Sequence, residues 1–237
     1  EKVLRHGERI VEEEVNVSLD GQQRHIYLSV KLPLRDNKGN IYALCGISTD
    51  ITEHKQQQQE IHQLAFYDAL TGLPNRRMLL DRLQHAVAIR QRQKHSAQGA
   101  LLFIDLDHFK DLNDTLGHAM GDELLQQVAQ RLQTHLRKID TLARLGGDEF
   151  VVLLTDLHPD LELSSQRASL IGEKIVQLLA EPFMLQQRPY SLSASVGVVM
   201  FSDGCNSDQL LQRADLAMYD AKERGRNGVR FFNQQMQ

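Results

Sequence analysis

Cysteine is scarce: Cys45 and Cys205 are the two in 237 residues, far apart and in no ligand-like spacing. That speaks against a disulfide framework or a cysteine metal cluster, and two reduced thiols are expected. Long hydrophobic runs are missing as well; none approaches the roughly 18–20 apolar residues that a membrane span needs. No signal-peptide pattern opens the chain, and no internal repeat runs through it. Charge of one sign is also lacking. Lys and Arg total 27 against 31 Asp and Glu, a formal net charge of −4. This argues against non-specific attraction to nucleic acid or anionic membranes, yet leaves room for a local basic pocket that takes an anionic ligand. The chain starts at Glu1 inside a charged pattern with no initiator Met, as expected of a fragment cut from a longer protein. What is present is ordinary globular material: 41% hydrophobic and 24% charged residues, enough for one large domain with a smaller piece attached.

Residues 1–50 alternate as strands do. Val15, Val17 and Leu19 share one face, and Ile26, Leu28 and Val30 another. Asp20-Gly21 reads as a hairpin turn and residues 36–40 as a second, giving three antiparallel strands. Such a meander is too small to form a comfortable core alone. Residues 51–66 read as a connecting helix, with Ile61, Leu64 and Ala65 as a weak apolar stripe. That stripe fits pairing with a twin helix, and a solvated single helix fits almost as well. From Asp68 onward helices and strands intermix. Helices are expected over 77–93, 122–136, 164–179 and 207–224, and strands over 100–106, 141–145, 149–154, 191–200 and 228–232. A hairpin interrupts the alternation, which favours an α+β layer fold with a partly antiparallel sheet.

The sharpest local feature is Phe103-Ile104-Asp105-Leu106-Asp107. Two acids end an apolar strand, on the same face because strand side chains repeat every two residues. Ionised acids there need a cation or hydrogen-bond donors. The second feature is Gly146-Gly147-Asp148-Glu149, between two β-rich runs. The paired glycines fit a tight hairpin and a bare backbone that a flat ligand can approach. If this hairpin lies beside the 100–106 strand, Asp148 meets Asp105, a hard-oxygen site suited to Mg²⁺ with substrate phosphates. Either motif alone is usually a strand-end acid or a turn; together, each beside a buried strand, they point to phosphoryl or nucleotidyl transfer.

Residues 146–150 spell Gly-Gly-Asp-Glu-Phe, and the sequence resembles the GGDEF family of diguanylate cyclases. Residues 68–76, 103–113, 117–122 and 217–227 resemble further motifs of that family in the correct order, across roughly residues 60–233. The resemblance implies a palm-like mixed sheet flanked by helices, of the nucleotidyl-cyclase and ferredoxin-like kind. It implies a cytoplasmic enzyme that condenses two GTP into cyclic di-GMP and two pyrophosphates, with Mg²⁺ or Mn²⁺ as cofactor and a homodimer for catalysis. It implies metal binding by Asp105, Asp148 and the Leu106 carbonyl, and a catalytic role for Glu149. Asn113 and Asp122 match guanine-reading positions, and the Gly146-Gly147 hairpin would carry the nucleotide. Lys222 and Arg226 match a triphosphate clamp; four apart, they are expected on one helical face, where a solvated helix end is the plainer alternative. Phe109 and Lys110 would offer backbone N–H groups to phosphate. His118 would touch substrate or make a structural hydrogen bond. Arg137-Lys138-Ile139-Asp140 matches the family's inhibitory Arg-x-x-Asp site for the product, with a helix-end ion pair as the alternative. Residues 1–51 resemble the carboxyl-terminal part of a PAS sensor domain, followed by a signalling helix over 52–66 and the cyclase domain over 67–237. The tail Arg230-Phe231-Phe232-Asn233 resembles the junction that often precedes an EAL phosphodiesterase domain. No nucleic-acid partner and no membrane segment are expected.

Overall fold

The computed structural model describes residues 3, 7–17, 24–92, 98–201 and 205–236. The chain forms two compact units, Glu1–Gln63 and Leu64–Gln237. In the first, β1 (Ile10–Val17), β2 (Arg24–Arg35) and β3 (Ile41–Asp50) form an antiparallel meander in the order β1-β2-β3. Its register sets Val11 and Ile47 opposite Val30, and Val15 opposite Ile26. The expected turn at Asp20-Gly21, with Leu19, lies outside the described residues. The second turn is closed by Asp36, whose carboxylate accepts the backbone N–H of Lys38 and of Asn40, each at 2.8 Å. Val11, Val15, Val17 and Ile47 are exposed. Helix α1 (Thr52–Phe66) starts where Asp50 accepts the Thr52 N–H at 2.9 Å. Its Ile61 and Leu64 are exposed.

The second unit is built on a five-stranded sheet of order β10-β9-β4-β6-β5. Its strands are β4 (Gly99–Asp107), β5 (Thr141–Gly146), β6 (Glu149–Leu154), β9 (Ser193–Phe201) and β10 (Gly228–Phe231). All pairs are antiparallel except β9 with β10. The helices are α2 (Arg76–Arg92), α3 (Phe109–Leu116), α4 (His118–His135), α5 (Leu161–Ala180) and α6 (Ser207–Glu223).

Strand β4 is buried along its whole length, so its alternation sorts residues between two cores. Leu102, Ile104 and Leu106 pack with Leu124 and Val128 of α4 and Ile175 and Leu179 of α5. Leu101 and Phe103 pack with Leu79 and Leu83 of α2 and with Leu210, Ala214 and Met218 of α6. By the same alternation Asp105 and Asp107 belong to the α6 face. Helix α6 lies very close to β9: a Cβ at Gly197 would sit 2.1 Å from the Ala214 carbonyl oxygen. A glycine in mid-strand is the condition for that approach.

Boundaries differ from expectation where caps decide them. Helix α4 begins at His118 rather than at residue 122, directly after Gly117 at φ 85°. Helix α5 begins at Leu161 because Asp160 is its N-cap, accepting the Leu163 N–H at 3.0 Å. The hairpin of β7 (Phe183–Leu185) and β8 (Arg188–Tyr190) was not anticipated. Its turn residues Gln186 and Gln187 have φ of 45° and 66°, a primed turn made without the Asn-Gly or Asp-Gly signal.

Candidate active site

Asp105 and Asp107 stand at the carboxyl end of β4, 6% and 3% exposed. They meet their burial in the two ways open to an acid. Asp105 pairs with a cation, the Lys222 ammonium of α6, at 2.7 Å. Burial nevertheless pushes its carboxyl up to about 6; Lys222 opposes this, and the Asp148 and Asp107 charges add to it. Asp107 takes hydrogen-bond donors instead. It accepts from the Ser193 and Ser195 hydroxyls at 2.6 and 2.8 Å and from the Asn227 backbone N–H at 3.2 Å.

The hairpin between β5 and β6 lies beside this strand end. Asp105 is opposite Glu149 in the β4–β6 register, and the Leu106 N–H points to the Asp148 carbonyl at 3.4 Å. Gly146 and Gly147 have φ of 148° and 50°, and a Cβ on either would meet nothing within 4 Å; the turn is bare and open. It is braced from below. Arg144, 9% exposed, donates to the Gly147 carbonyl through Nε and Nη2 at 3.0 and 2.8 Å. Its Nη1 reaches both Asp68 oxygens at 2.9 and 3.0 Å. Asp68 also accepts the Thr71 N–H and hydroxyl. Burial works to raise the Asp68 carboxyl, but Thr71 and Arg144 together hold it below the usual carboxylate range. Asp68 opens the 68–76 motif but was given no role from sequence, and Arg144 was not singled out at all. The available signal was Arg144, a charged residue in a short strand between the apolar Leu142-Ala143 and Leu145.

Glu149 is held above the usual range by burial, with Asp215 and Asp148 adding their charges and Lys222 and Arg76 opposing. Asp215, on α6 two turns before Lys222, was also missed; its own carboxyl is raised by burial against Lys222. An acid in an amphipathic helix reads as solvated surface until the sheet behind it is known.

The base-reading candidates come together at the α3–α4 junction. Asn113 Oδ1 is buried and accepts no hydrogen bond among the described residues. It lies against Gly121, where a Cβ would sit 2.0 Å from it, and Asp122 follows, exposed. His118 is exposed at the start of α4. Helix α3 opens at Phe109 behind His108, which has φ 62° and no side-chain cap, so its first backbone N–H groups are available to an anion.

One expectation is corrected. Lys222 and Arg226 do not share a helical face. Helix α6 ends at Glu223, Gly225 has φ 111°, and the Arg226 N–H closes back on the Ala221 carbonyl at 3.0 Å. This glycine-ended termination puts Arg226 in a left-handed turn beyond the helix, at φ 61°.

Among the described residues no three His, Cys, Asp or Glu side chains converge as an ion cage. Two neighbouring carboxylates and the adjacent strand-end backbone form a sparser oxygen set, which fits Mg²⁺ shared with phosphates rather than a protein-only cage. Arg137 and Asp140 lie apart from the hairpin. They line a cavity of about 150 Å³ between α4 and α5 with Arg167 and Lys174 over an apolar floor, and also a groove of about 480 Å³ with Tyr67, Pro74 and Arg82. Asp140 accepts the Arg137 backbone N–H at 3.3 Å, and burial raises its carboxyl. Among the described residues no helix is long and apolar enough to cross a membrane.

A mixed sheet with two acids at a strand end and a bare glycine hairpin beside them defines a nucleotidyl-cyclase-like domain. Residues 65–228 match the family model described as diguanylate cyclase, GGDEF domain, and the chain belongs to that family; residues 1–56 match a PAS-fold model. Among curated proteins it is 42% identical over 186 residues to the bifunctional diguanylate cyclase/cyclic di-GMP phosphodiesterase MucR of Pseudomonas aeruginosa, covering 78% of this chain and 26% of that one. It is 36% identical over 216 residues to the signaling protein YkoW of Bacillus subtilis, covering 89% and 26%. The chain thus spans about a quarter of these relatives. Among solved structures, the GGDEF domain of TpbB from P. aeruginosa matches with TM-score 0.66 at 38% identity, covering 72% of this chain and 96% of that one. The coiled coil and GGDEF domain of DgcB from Caulobacter crescentus, in complex with c-di-GMP, matches with TM-score 0.68 at 25% identity, covering 76% and 93%.

Proposed function

We propose that residues 67–237 are a competent diguanylate cyclase domain, joined by a helix over 52–66 to a PAS portion over 1–51. The observation that carries this is the pairing of Asp105 with the Asp148 hairpin beside a lysine ammonium. GTP lies over Gly146-Gly147. Its guanine edge donates to Asn113 Oδ1, a buried acceptor with no partner among the described residues, and to Asp122. Lys222, Arg226 and the first N–H groups of α3, at Phe109 and Lys110, hold the phosphates. His118 is near enough in sequence to Asp122 to line the same cleft. Asp105, Asp148 and the Leu106 carbonyl would hold Mg²⁺ or Mn²⁺, which when bound lowers the pKa of the ribose 3′-hydroxyl and neutralises charge at the α-phosphate. Glu149 supports the attacking hydroxyl. Each 3′-hydroxyl attacks the α-phosphorus of the other GTP, so two protomers meet face to face. Arg137 and Asp140 bind the product and inhibit further turnover.

A second reading is favoured by one relative. The chain is 42% identical over 178 residues to a protein named cyclic di-GMP phosphodiesterase, NbdA of P. aeruginosa. Under that reading the domain binds GTP or cyclic di-GMP and regulates a neighbouring EAL domain. Chromatography of products after incubation with GTP and Mg²⁺ separates the two. The cyclase reading predicts cyclic di-GMP with two pyrophosphates per dinucleotide. GTP binding without product would overturn it in favour of the regulatory module.

A further inference from the structure

Asp107 has no part in the chemistry above, yet it is the more buried of the two strand-end acids and the better bonded. Its three donors come from two directions. Ser193 and Ser195 belong to β9, the neighbouring strand, while the Asn227 N–H belongs to the turn between α6 and β10. That turn is costly backbone. Arg226 and Asn227 are consecutive left-handed residues, at φ 61° and 48°, and neither is glycine. Such residues persist where surrounding structure over-determines them. Arg226 is one of the two cations assigned to the phosphates, and the other, Lys222, stands just before the same turn.

We propose that Asp107 is a positioning residue: by accepting the Asn227 N–H it pins the left-handed turn to the end of β4, and so presents Arg226 and Lys222 to the nucleotide's phosphates beside Asp105. The proposal rests on the GTP-binding reading above. It separates the roles of two acids on one strand face. Asp105 works through its charge; Asp107 works as an acceptor, so an uncharged acceptor in its place suffices.

The test is GTP affinity of the whole chain, by calorimetry with Ca²⁺ as the divalent ion. Asp107→Ala is expected to bind GTP about tenfold more weakly or worse, the scale on which misplacement of a binding group acts. Asp107→Asn, which keeps one carboxamide oxygen for the Asn227 N–H, recovers affinity to within a few-fold of wild type. Should Asp107→Ala fail to fold, the exposed turn provides a second route. Asn227→Pro removes the N–H and cannot adopt φ 48°, so it loses affinity as Asp107→Ala does; Asn227→Gly keeps both and binds as wild type. Hydrogen exchange at the residue-227 amide is slow in wild type and accelerated in Asp107→Ala. Equal GTP affinity for wild type and Asn227→Pro overturns the proposal, as does an Asp107→Asn variant as weak as Asp107→Ala. A wild-type chain that does not bind GTP refutes the underlying reading instead.

Discussion

Replacing Asp105 with asparagine removes the most perturbed carboxyl at the site while keeping its shape. An acid raised from 3.8 to about 6 by folding has a definite signature. Below about pH 4 it is protonated in folded and unfolded chains alike and contributes nothing. Between the two values the folded chain keeps a proton that the unfolded chain has released, so stability falls as pH rises. Above about pH 6 the full cost of ionised burial is present, about 3 kcal/mol for that gap. Asp105→Asn lacks this component. Urea unfolding of the cyclase unit with chelator present should therefore show the wild type losing about 3 kcal/mol relative to the variant between about pH 4 and pH 7. For a unit of this size that is a shift of about 6–12 °C in Tm. Adding Mn²⁺ should stabilise the wild type, increasingly as pH rises through about 6, because the ion needs the ionised carboxylate. The variant should gain much less. Parallel pH curves for the two proteins, or equal stabilisation by Mn²⁺, would refute the reasoning.

Arg144→Ala should destabilise the cyclase unit by about 3 kcal/mol, because it strands a partly buried carboxylate and the Gly147 carbonyl; a double-mutant cycle with Asp68→Ala, read by urea unfolding, should show strong coupling. Asp68 itself is depressed on folding, so its contribution is present above about pH 4 and is lost as pH falls through its lower folded value; Asp68→Asn should flatten that acid limb. Arg137→Ala should leave initial turnover of GTP unchanged and relieve inhibition by added cyclic di-GMP, seen as displaced inhibition curves. Deleting residues 1–63 should weaken dimerisation in sedimentation and lower turnover together, since it removes most of α1 with its exposed Ile61.

The elements with strong period are legible in the amino-acid sequence alone. Strand β4 announces itself as an apolar run ended by acids, and the Gly146-Gly147 hairpin falls beside it because β4 and β6 are antiparallel neighbours. What stayed hidden depends on contacts distant in sequence. Nothing local marks Arg144 as the partner of Asp68, 76 residues away. Nothing local tells that Asp107 finds serines on β9 while Asp105 finds a lysine on α6. The helical reading of Lys222 and Arg226 failed on Gly225, whose left-handed backbone ends α6 between them. The β7–β8 turn was missed because two glutamines adopt angles that sequence rules assign to glycine and asparagine.

The most direct measurement is a crystal structure of the chain with Mg²⁺ and 3′-deoxy-GTP, which lacks the attacking hydroxyl and so stays intact. The account predicts a divalent ion bonded to the Asp105 and Asp148 carboxylates, phosphates at Lys222 and Arg226, and the guanine edge at Asn113 and Asp122. An ion bound without Asp105, or a nucleotide held away from the Gly146-Gly147 hairpin, would contradict it.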